Sequence, residues 1–236
     1  MTTYEILLQN TSEIENKIGY TFKDKEIMAL AFVHRSYANE NKNVNQHNER
    51  LEFLGDSILG LLIAEYLYKQ LPTTPEGDLS ALRSRLVEAS SCVNYMQILG
   101  IGDHTLLGKG ERMNDGRGRE SILADLFEAI IAAIYLDGGY EAAKHFLFHN
   151  FSDEIDRIIK TPNRNWKADL QDYCQKKYQA IPDYTVLSET GPDHSKQFLI
   201  AVVIDGQELG RGSGSSKKEA QQEAAADALA KVSNLP

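Results

Sequence analysis

Glu49, Glu52 and Asp56 stand at i, i+3 and i+7 in the stretch 47–62, HNERLEFLGDSILGLL. On a helix that spacing projects three carboxylates from nearly one side. Leu51, Phe53, Leu54, Ile58, Leu59, Leu61, Leu62 and Ile63 surround them, which predicts a helix buried on most sides. A second stretch, 121–136 (SILADLFEAIIAAIYL), sets Asp125 and Glu128 at i, i+3 in an almost unbroken apolar run. Acids in such surroundings cost on the order of several kcal/mol each unless their charge is compensated. Glu52, Asp56, Asp125 and Glu128 therefore point to one shared cation site. Oxygen ligands from two rigid helices suit a hard ion such as Mg²⁺, which keeps several waters and bridges to phosphate. For any single acid the plainer alternative is a solvated carboxylate, or one paired with Arg50, Arg83 or Arg85. Two acids on each of two apolar helices favour the shared site. Glu49 and Glu76 are accessory acids, either at the rim of that site or on the surface.

The elements that must hold these groups follow from the rest of the chain. Its 236 residues allow one large domain, or a medium and a small one. With 42% hydrophobic and 25% charged residues it has the composition of a soluble globular protein. No uncharged apolar run of about 18 residues occurs, so no membrane span is expected. The first residues, MTTYEILLQNTSEIENK, lack the basic-then-apolar order of a secretory signal. Cys92 and Cys174 fit two small buried hydrophobes in a reducing cytoplasm better than a disulfide framework. No zinc site is expected, on a reading that finds neither a Cys-x-x-Cys nor a His-x-x-x-His pair. The net charge of -9 argues at first against a nucleic-acid partner. Residues 1–161 hold nearly all of it, with a balance of -8, whereas residues 162–236 carry only -1. The excess acid thus lies where the carboxylates cluster, and bound divalent cations would offset part of it.

Up to residue 160 every periodic stretch reads as helix, and none alternates as a strand does. Short amphipathic helices fill residues 4–36, broken at Gly19-Tyr20, with one over Lys25–Phe32. Asn39–Asn48 is a polar loop. Leu71-Pro72 ends the first acid-bearing helix, and Thr74-Pro75 reads as an N-cap with proline at the first helical position. Leu79–Ser90 and Val93–Leu99 follow as helix, and Gly100-Ile101-Gly102 stops them. Gly108–Arg119 reads as a charged, glycine-rich loop. Asp137-Gly138-Gly139 stops the second acidic helix before a last one over Tyr140–Ile159.

The pattern changes after 161–165 (TPNRN), the expected linker between a domain at 1–160 and another at 166–234. Trp166–Tyr178 reads as a helix, and Tyr184–Glu189, Gln197–Ile204 and Glu208–Gly212 as strands. Gly191–His194 and Asp205-Gly206 are the turns between them. Ser216–Val232 closes with a helix whose alanines 220, 224, 225 and 228 give a flat face for a sheet. The fold class is thus an all-α domain followed by a small α+β domain of order α-β-β-β-α.

In that second domain Lys217 and Lys218 open the last helix, where free backbone N–H groups complete a phosphate seat. Gln171 and Gln175, one turn apart, can reach minor-groove edges and 2′-hydroxyls, as can the turn that holds His194. The three must share one side of the domain for this to hold. Stacked aromatics on strand faces are missing, which argues against single-strand binding. His34, His47 and His104 read as surface or capping residues. No serine has the neighbours of a nucleophile. The Gly-x-Gly runs at 108–110 and 210–214 lack the spacing of a phosphate-binding fingerprint, so no nucleotide cofactor is expected.

The block His47–Ser57 (HNERLEFLGDS) resembles the signature of the ribonuclease III family. Ile122–Ala129 (ILADLFEA) resembles that family's other metal-binding helix, and residues 166–232, ending in SSKKEAQQEAAADAL, resemble a double-stranded RNA-binding domain. The likeness covers nearly the whole chain. Asp172, where many relatives have Glu, is a minor departure. The resemblance implies a cytoplasmic, homodimeric endoribonuclease of double-stranded RNA that acts in rRNA, mRNA and tRNA processing. It implies that Glu52, Asp125 and Glu128 ligate Mg²⁺, with Mn²⁺ able to substitute, and that Asp56 and Glu128 are the essential acids. Glu49 and Glu76 become the accessory acids, Phe53 a dimer contact, and Gln171, Gln175, His194, Lys217 and Lys218 RNA contacts. Two cations about 4 Å apart activate water and neutralise the leaving oxyanion, leaving a 5′-phosphate and a 3′-hydroxyl. A two-fold dimer sets two such sites against the two strands of one duplex. Two rival functions remain open: an RNA-binding regulator with a non-cutting helical domain, and a metal-dependent hydrolase of small phosphates.

Overall fold

A computed structural model describes residues 5, 7–8, 11–113, 118–161, 165–191, 196–204 and 206–233. Parts of the expected loop at 108–119, of the linker and of both strand-connecting turns lie outside the described residues. The chain divides into two compact units, Met1–Thr161 and Pro162–Pro236.

The first unit is helical: α1 (Thr11–Ile18), α2 (Lys25–Ala31), α3 (Arg35–Glu40), α4 (Glu49–Gln70), α5 (Glu76–Val87), α6 (Ala89–Leu99), α7 (Lys109–Met113) and α8 (Arg119–Lys160), with a 3₁₀ turn at Gly102–His104. α4 and α8 share the most extensive packing, and α6 lies along α8. α8 buries Leu126, Phe127, Ala129, Ile130, Ile131 and Ile134, as its nearly all-round apolar sequence requires. Phe127 also meets Tyr95, Phe146 and Phe151 at centroid separations of 5.0, 6.2 and 5.5 Å, an aromatic centre that the Tyr95 hydroxyl joins by donating to the Leu86 carbonyl at 3.2 Å.

Gly139 interrupts α8 with φ 80° and ψ -174°, a conformation open essentially to glycine alone. Two helical arms therefore meet at this kink, in keeping with the expected stop at 137–139. Asp137, just before it, accepts from the Tyr20 hydroxyl and from the amides of Lys23 and Asp24, tying the bend to the chain entering α2.

Several expected boundaries move. Pro75, rather than Thr74, occupies the N-cap position, so α5 starts at Glu76. Extended backbone at Glu88 (ψ 155°) separates α5 from α6. Arg35–Glu40 forms its own short helix, with His34 at its N-cap accepting from the Ser36 amide. Lys109–Met113 likewise takes one helical turn inside the expected loop.

The second unit runs α9 (Trp166–Tyr178), β1 (Asp183–Thr190), β2 (Gln197–Ile204), β3 (Gln207–Gly214) and α10 (Lys217–Ser233). Its antiparallel sheet has the order β1-β2-β3. Phe198 pairs with Gly214, Ile200 with Gly212 and Val202 with Gly210, so three glycines of β3 lie on the face that carries Ile200 and Val202. A Cβ on Gly212 would stand 2.1 Å from the Ala224 amide nitrogen, and Gly210 and Gly214 approach Ala228 and Ala220 almost as closely. The glycine stripe therefore receives the alanine face of α10. The second Gly-x-Gly run serves helix–sheet contact.

Candidate active site

α4 and α8 meet most closely at Gly55, where a Cβ would lie 1.9 Å from the Glu128 carbonyl oxygen. This contact brings Glu52 and Asp56 of α4 beside Asp125 and Glu128 of α8. Burial raises Glu128 most, to about 7, and the charges of Asp56, Glu52 and Asp125 add to it. Burial likewise raises Glu52, reinforced by Asp125, Glu49 and Asp56. Asp125 is raised by burial and by Glu49, with His34 pulling the other way. The carboxylates of two separate helices thus feel one another as neighbouring like charges.

Asp56 is exposed, whereas Glu52, Asp125 and Glu128 are half-buried. α4 turns Leu51, Gly55, Ile58, Leu59 and Leu62 inward, leaving the side with Phe53, Asp56 and Ser57 open. Phe53 is 80% exposed, and Leu61 and Tyr68 also reach solvent. α4 is therefore buried along one face rather than on most sides.

Among the described residues, none of the four acids has an ion-pair partner. Arg85 instead donates to the Thr161 carbonyl at 3.1 Å. No three His, Cys, Asp or Glu side chains of the described residues are gathered tightly enough to hold an ion as they stand. The helices bring the acids together, whereas the side chains have not converged on a point. Hard oxygen donors, three of the four half-buried, uncompensated and mutually repelling, fit a divalent cation.

Glu49, in the first turn of α4, pairs with Arg35 at 3.1 Å and acts on Glu52, Asp125 and His34 through its charge. Glu76 is exposed in the first turn of α5 and accepts from the Ser80 hydroxyl at 2.7 Å. Three neighbours were not singled out from sequence as parts of the site. Gly55 was hidden because one glycine in a helix has many uses. Cys92 on α6 is buried, and burial together with Glu128, Asp56 and Asp125 pushes its thiol far up, keeping it neutral. His34 is lowered by burial against the pull of Glu111 and Asp125. Its Nδ1 lies 2.7 Å from the Ser36 hydroxyl, which accepts from the Gly108 amide at 2.9 Å.

In the second unit Gln171, Gln175, Lys217 and Lys218 are all exposed. Lys167, Gln171 and Gln175 follow at i, i+4 and i+8 on α9, while Lys217 and Gln221 follow at i and i+4 on α10. The Lys167 ammonium donates to Gln221 at 2.7 Å, setting these two polar stripes side by side. At the start of α10 the Glu219 carboxylate accepts from the Ser215 amide, and the Ser216 hydroxyl accepts from the Glu219 amide. The capping interaction therefore takes part of the expected phosphate seat. His194 lies outside the described residues.

A Ribonuclease-III-like family model matches residues 24–155, and a double-stranded RNA binding motif matches residues 166–232. The chain is 68% identical over 232 residues to Ribonuclease 3 of Protochlamydia amoebophila (strain UWE25), covering 98% of this chain and 96% of that protein. It is 43% identical over 223 residues to Ribonuclease 3 of Streptococcus equi subsp. zooepidemicus (strain H70), covering 94% and 97%. The crystallised nuclease domain of ribonuclease III from Campylobacter jejuni is similar with a TM-score of 0.56 and 39% identity, covering 62% of this chain and 96% of that one.

Proposed function

This chain belongs to the ribonuclease III family and is an endonuclease of double-stranded RNA, and from that premise we propose that Glu52, Asp125 and Glu128 hold its divalent cations, with Asp56 and Glu128 the essential acids. Mg²⁺ is the proposed ion, and Mn²⁺ can replace it. When bound, such cations supply Lewis acidity that activates water and neutralises the leaving oxygen, giving 5′-phosphate and 3′-hydroxyl ends. The carboxylates hold this charge between α4 and α8. Glu49 shapes the rim through its charge on Glu52 and Asp125, and Glu76 is proposed as a further accessory acid.

The division we propose is a nuclease at 1–160, a linker at 161–165 and an RNA-binding domain at 166–234. In the last, Gln171 and Gln175 meet the minor groove while Lys217 and Lys218 meet phosphate, with His194 proposed as another contact. A-form RNA is read by shape and 2′-hydroxyls, so sequence preference is modest. The substrates are structured rRNA, mRNA and tRNA precursors in the cytoplasm.

The nuclease domain from Campylobacter jejuni is described as having a region involved in dimer formation. We propose the same assembly here, with Phe53 as its contact. An apolar side chain this exposed suits a partner surface, and the same helix lines a cleft of about 570 Å³ with Leu51 and Leu54, beside Ile27, Leu30 and Leu136.

The observation that carries this reading is the uncompensated set of like charges where Gly55 meets Glu128. Incubation with a perfect RNA duplex, with and without Mg²⁺, followed by mapping of the ends, tests it. Cleavage that survives chelation, or 3′-phosphate ends, would sink the metal assignment.

A further inference from the structure

His145 and His149 stand at i and i+4 on the C-terminal arm of α8, beyond the kink and outside the acid cluster. Their imidazoles stack with centroids 5.0 Å apart and 20° between planes. Both side chains are exposed, and among the described residues neither has a hydrogen-bond or ion-pair partner. The backbone beneath them is well anchored. Phe146, Leu147 and Phe151 are buried, and the Asn150 amide donates to the carbonyls of Ile18 and Phe146 at 3.0 and 2.8 Å. Glu141 and Asp153, exposed one turn before and one turn after, extend the same i+4 row and lend it negative potential.

Two exposed imidazoles on adjacent turns of a rigid helix can turn out of the stack to form the two-point chelate that borderline late first-row cations prefer, whereas hard Mg²⁺ favours oxygen. The structure assigns His145 and His149 as a second metal site, one that takes Zn²⁺ or Ni²⁺ with the two imidazoles as ligands and water in the remaining positions. It differs from the carboxylate cluster in ligand type and in its place on the fold. The two histidines also form the His-x-x-x-His spacing that the expectation of no zinc site took to be missing.

The test is calorimetric titration of the full chain with Ni²⁺ in excess Mg²⁺, which occupies the oxygen site first. One Ni²⁺ per chain should bind, and His145→Gln or His149→Gln should each weaken it at least about tenfold, the loss expected when a chelate becomes a single ligand. Ni²⁺ should also raise the Tm of the unaltered chain but not of either variant. Both substitutions lie on exposed positions, and unchanged Mg²⁺-dependent cleavage checks that each variant is folded. Equal Ni²⁺ affinity in the unaltered chain and both variants overturns the assignment.

Discussion

Gly55 lies against the backbone of Glu128 so closely that any larger residue there must separate α4 from α8. The neighbour is a carbonyl, which cannot swing aside as a side chain would. Gly55→Ala should therefore cost about 1–3 kcal/mol in stability, the range for overpacking a well-packed core. It should also widen the spacing between the two acid pairs. Urea denaturation paired with cleavage assays checks both. A stable variant with unaltered cleavage would mean that the contact does not set the geometry of the site.

Glu128 ordinarily titrates near 4.5 and in the fold at about 7. Between those values the folded chain keeps a proton that the unfolded chain has released. Its contribution to stability therefore falls as pH rises through that window and stays low above it. Glu52 and Asp125 act in the same direction. With chelator present, Glu128→Gln should gain stability relative to the unaltered chain between about pH 5 and pH 8. Mg²⁺ should restore the unaltered chain above pH 7 and do less for the variant. Urea midpoints at the two pH values, with and without the ion, provide the comparison.

Much of this arrangement was legible in the sequence, because carboxylate spacing on strongly apolar helices is a local property. The i, i+3 and i+7 acids do share a helix, and their counterparts at 125 and 128 do face them. The distance between helices was not legible, since it depends on what Gly55 meets across the gap. Nor was the exposed side of α4. Phe53, Leu61 and Leu62 are equally apolar, yet only Leu62 is buried within this chain. Periodicity cannot tell a face covered by the same chain from one left for another. The His145–His149 pair escaped for a simpler reason. Its helix reads as an ordinary amphipathic one, in which the His-x-x-x-His spacing at 145 and 149 is lost among apolar neighbours.

Glu128→Gln should also separate cutting from binding. The amide keeps the size of the side chain and removes the charge proposed to hold the cation. Cleavage should fall by at least about 100-fold, the scale on which losing one transition-state-stabilising group acts. Duplex affinity, carried mainly by residues 166–234, should change little. Gel-shift titration in Ca²⁺ beside single-turnover cleavage in Mg²⁺ distinguishes the two. Joint loss of binding and cleavage would make Glu128 a structural acid and revive the non-cutting regulator as an alternative.

Gly212 gives the RNA-binding unit its own counterpart of Gly55. A Cβ there would stand 2.1 Å from the Ala224 nitrogen, so Gly212→Ala should lift α10 off the sheet. Lys217 and Lys218 should then lose their place relative to Gln171 and Gln175. The expected outcome is lower duplex affinity with the nuclease unit still folded, read by hydrogen exchange of the two units separately.

Lys217 and Lys218 offer the sharper test of how that surface works, because charge contacts leave a signature that packing defects do not. Each ammonium that neutralises a phosphate releases condensed counterions, so affinity falls with salt in proportion to the number of such contacts. Lys217→Ala and Lys218→Ala should each lower the salt slope by about one. Gln171→Ala should weaken binding at every salt concentration without changing that slope. Lys217 is the more constrained of the two lysines, its ammonium lying 5.6 Å from the centre of the Phe198 ring. If that contact holds the ammonium away from phosphate, Lys218→Ala alone will change the slope. If neither lysine does, the start of α10 serves capping alone, as the Ser216 and Glu219 bonds already allow, and the phosphate seat lies elsewhere.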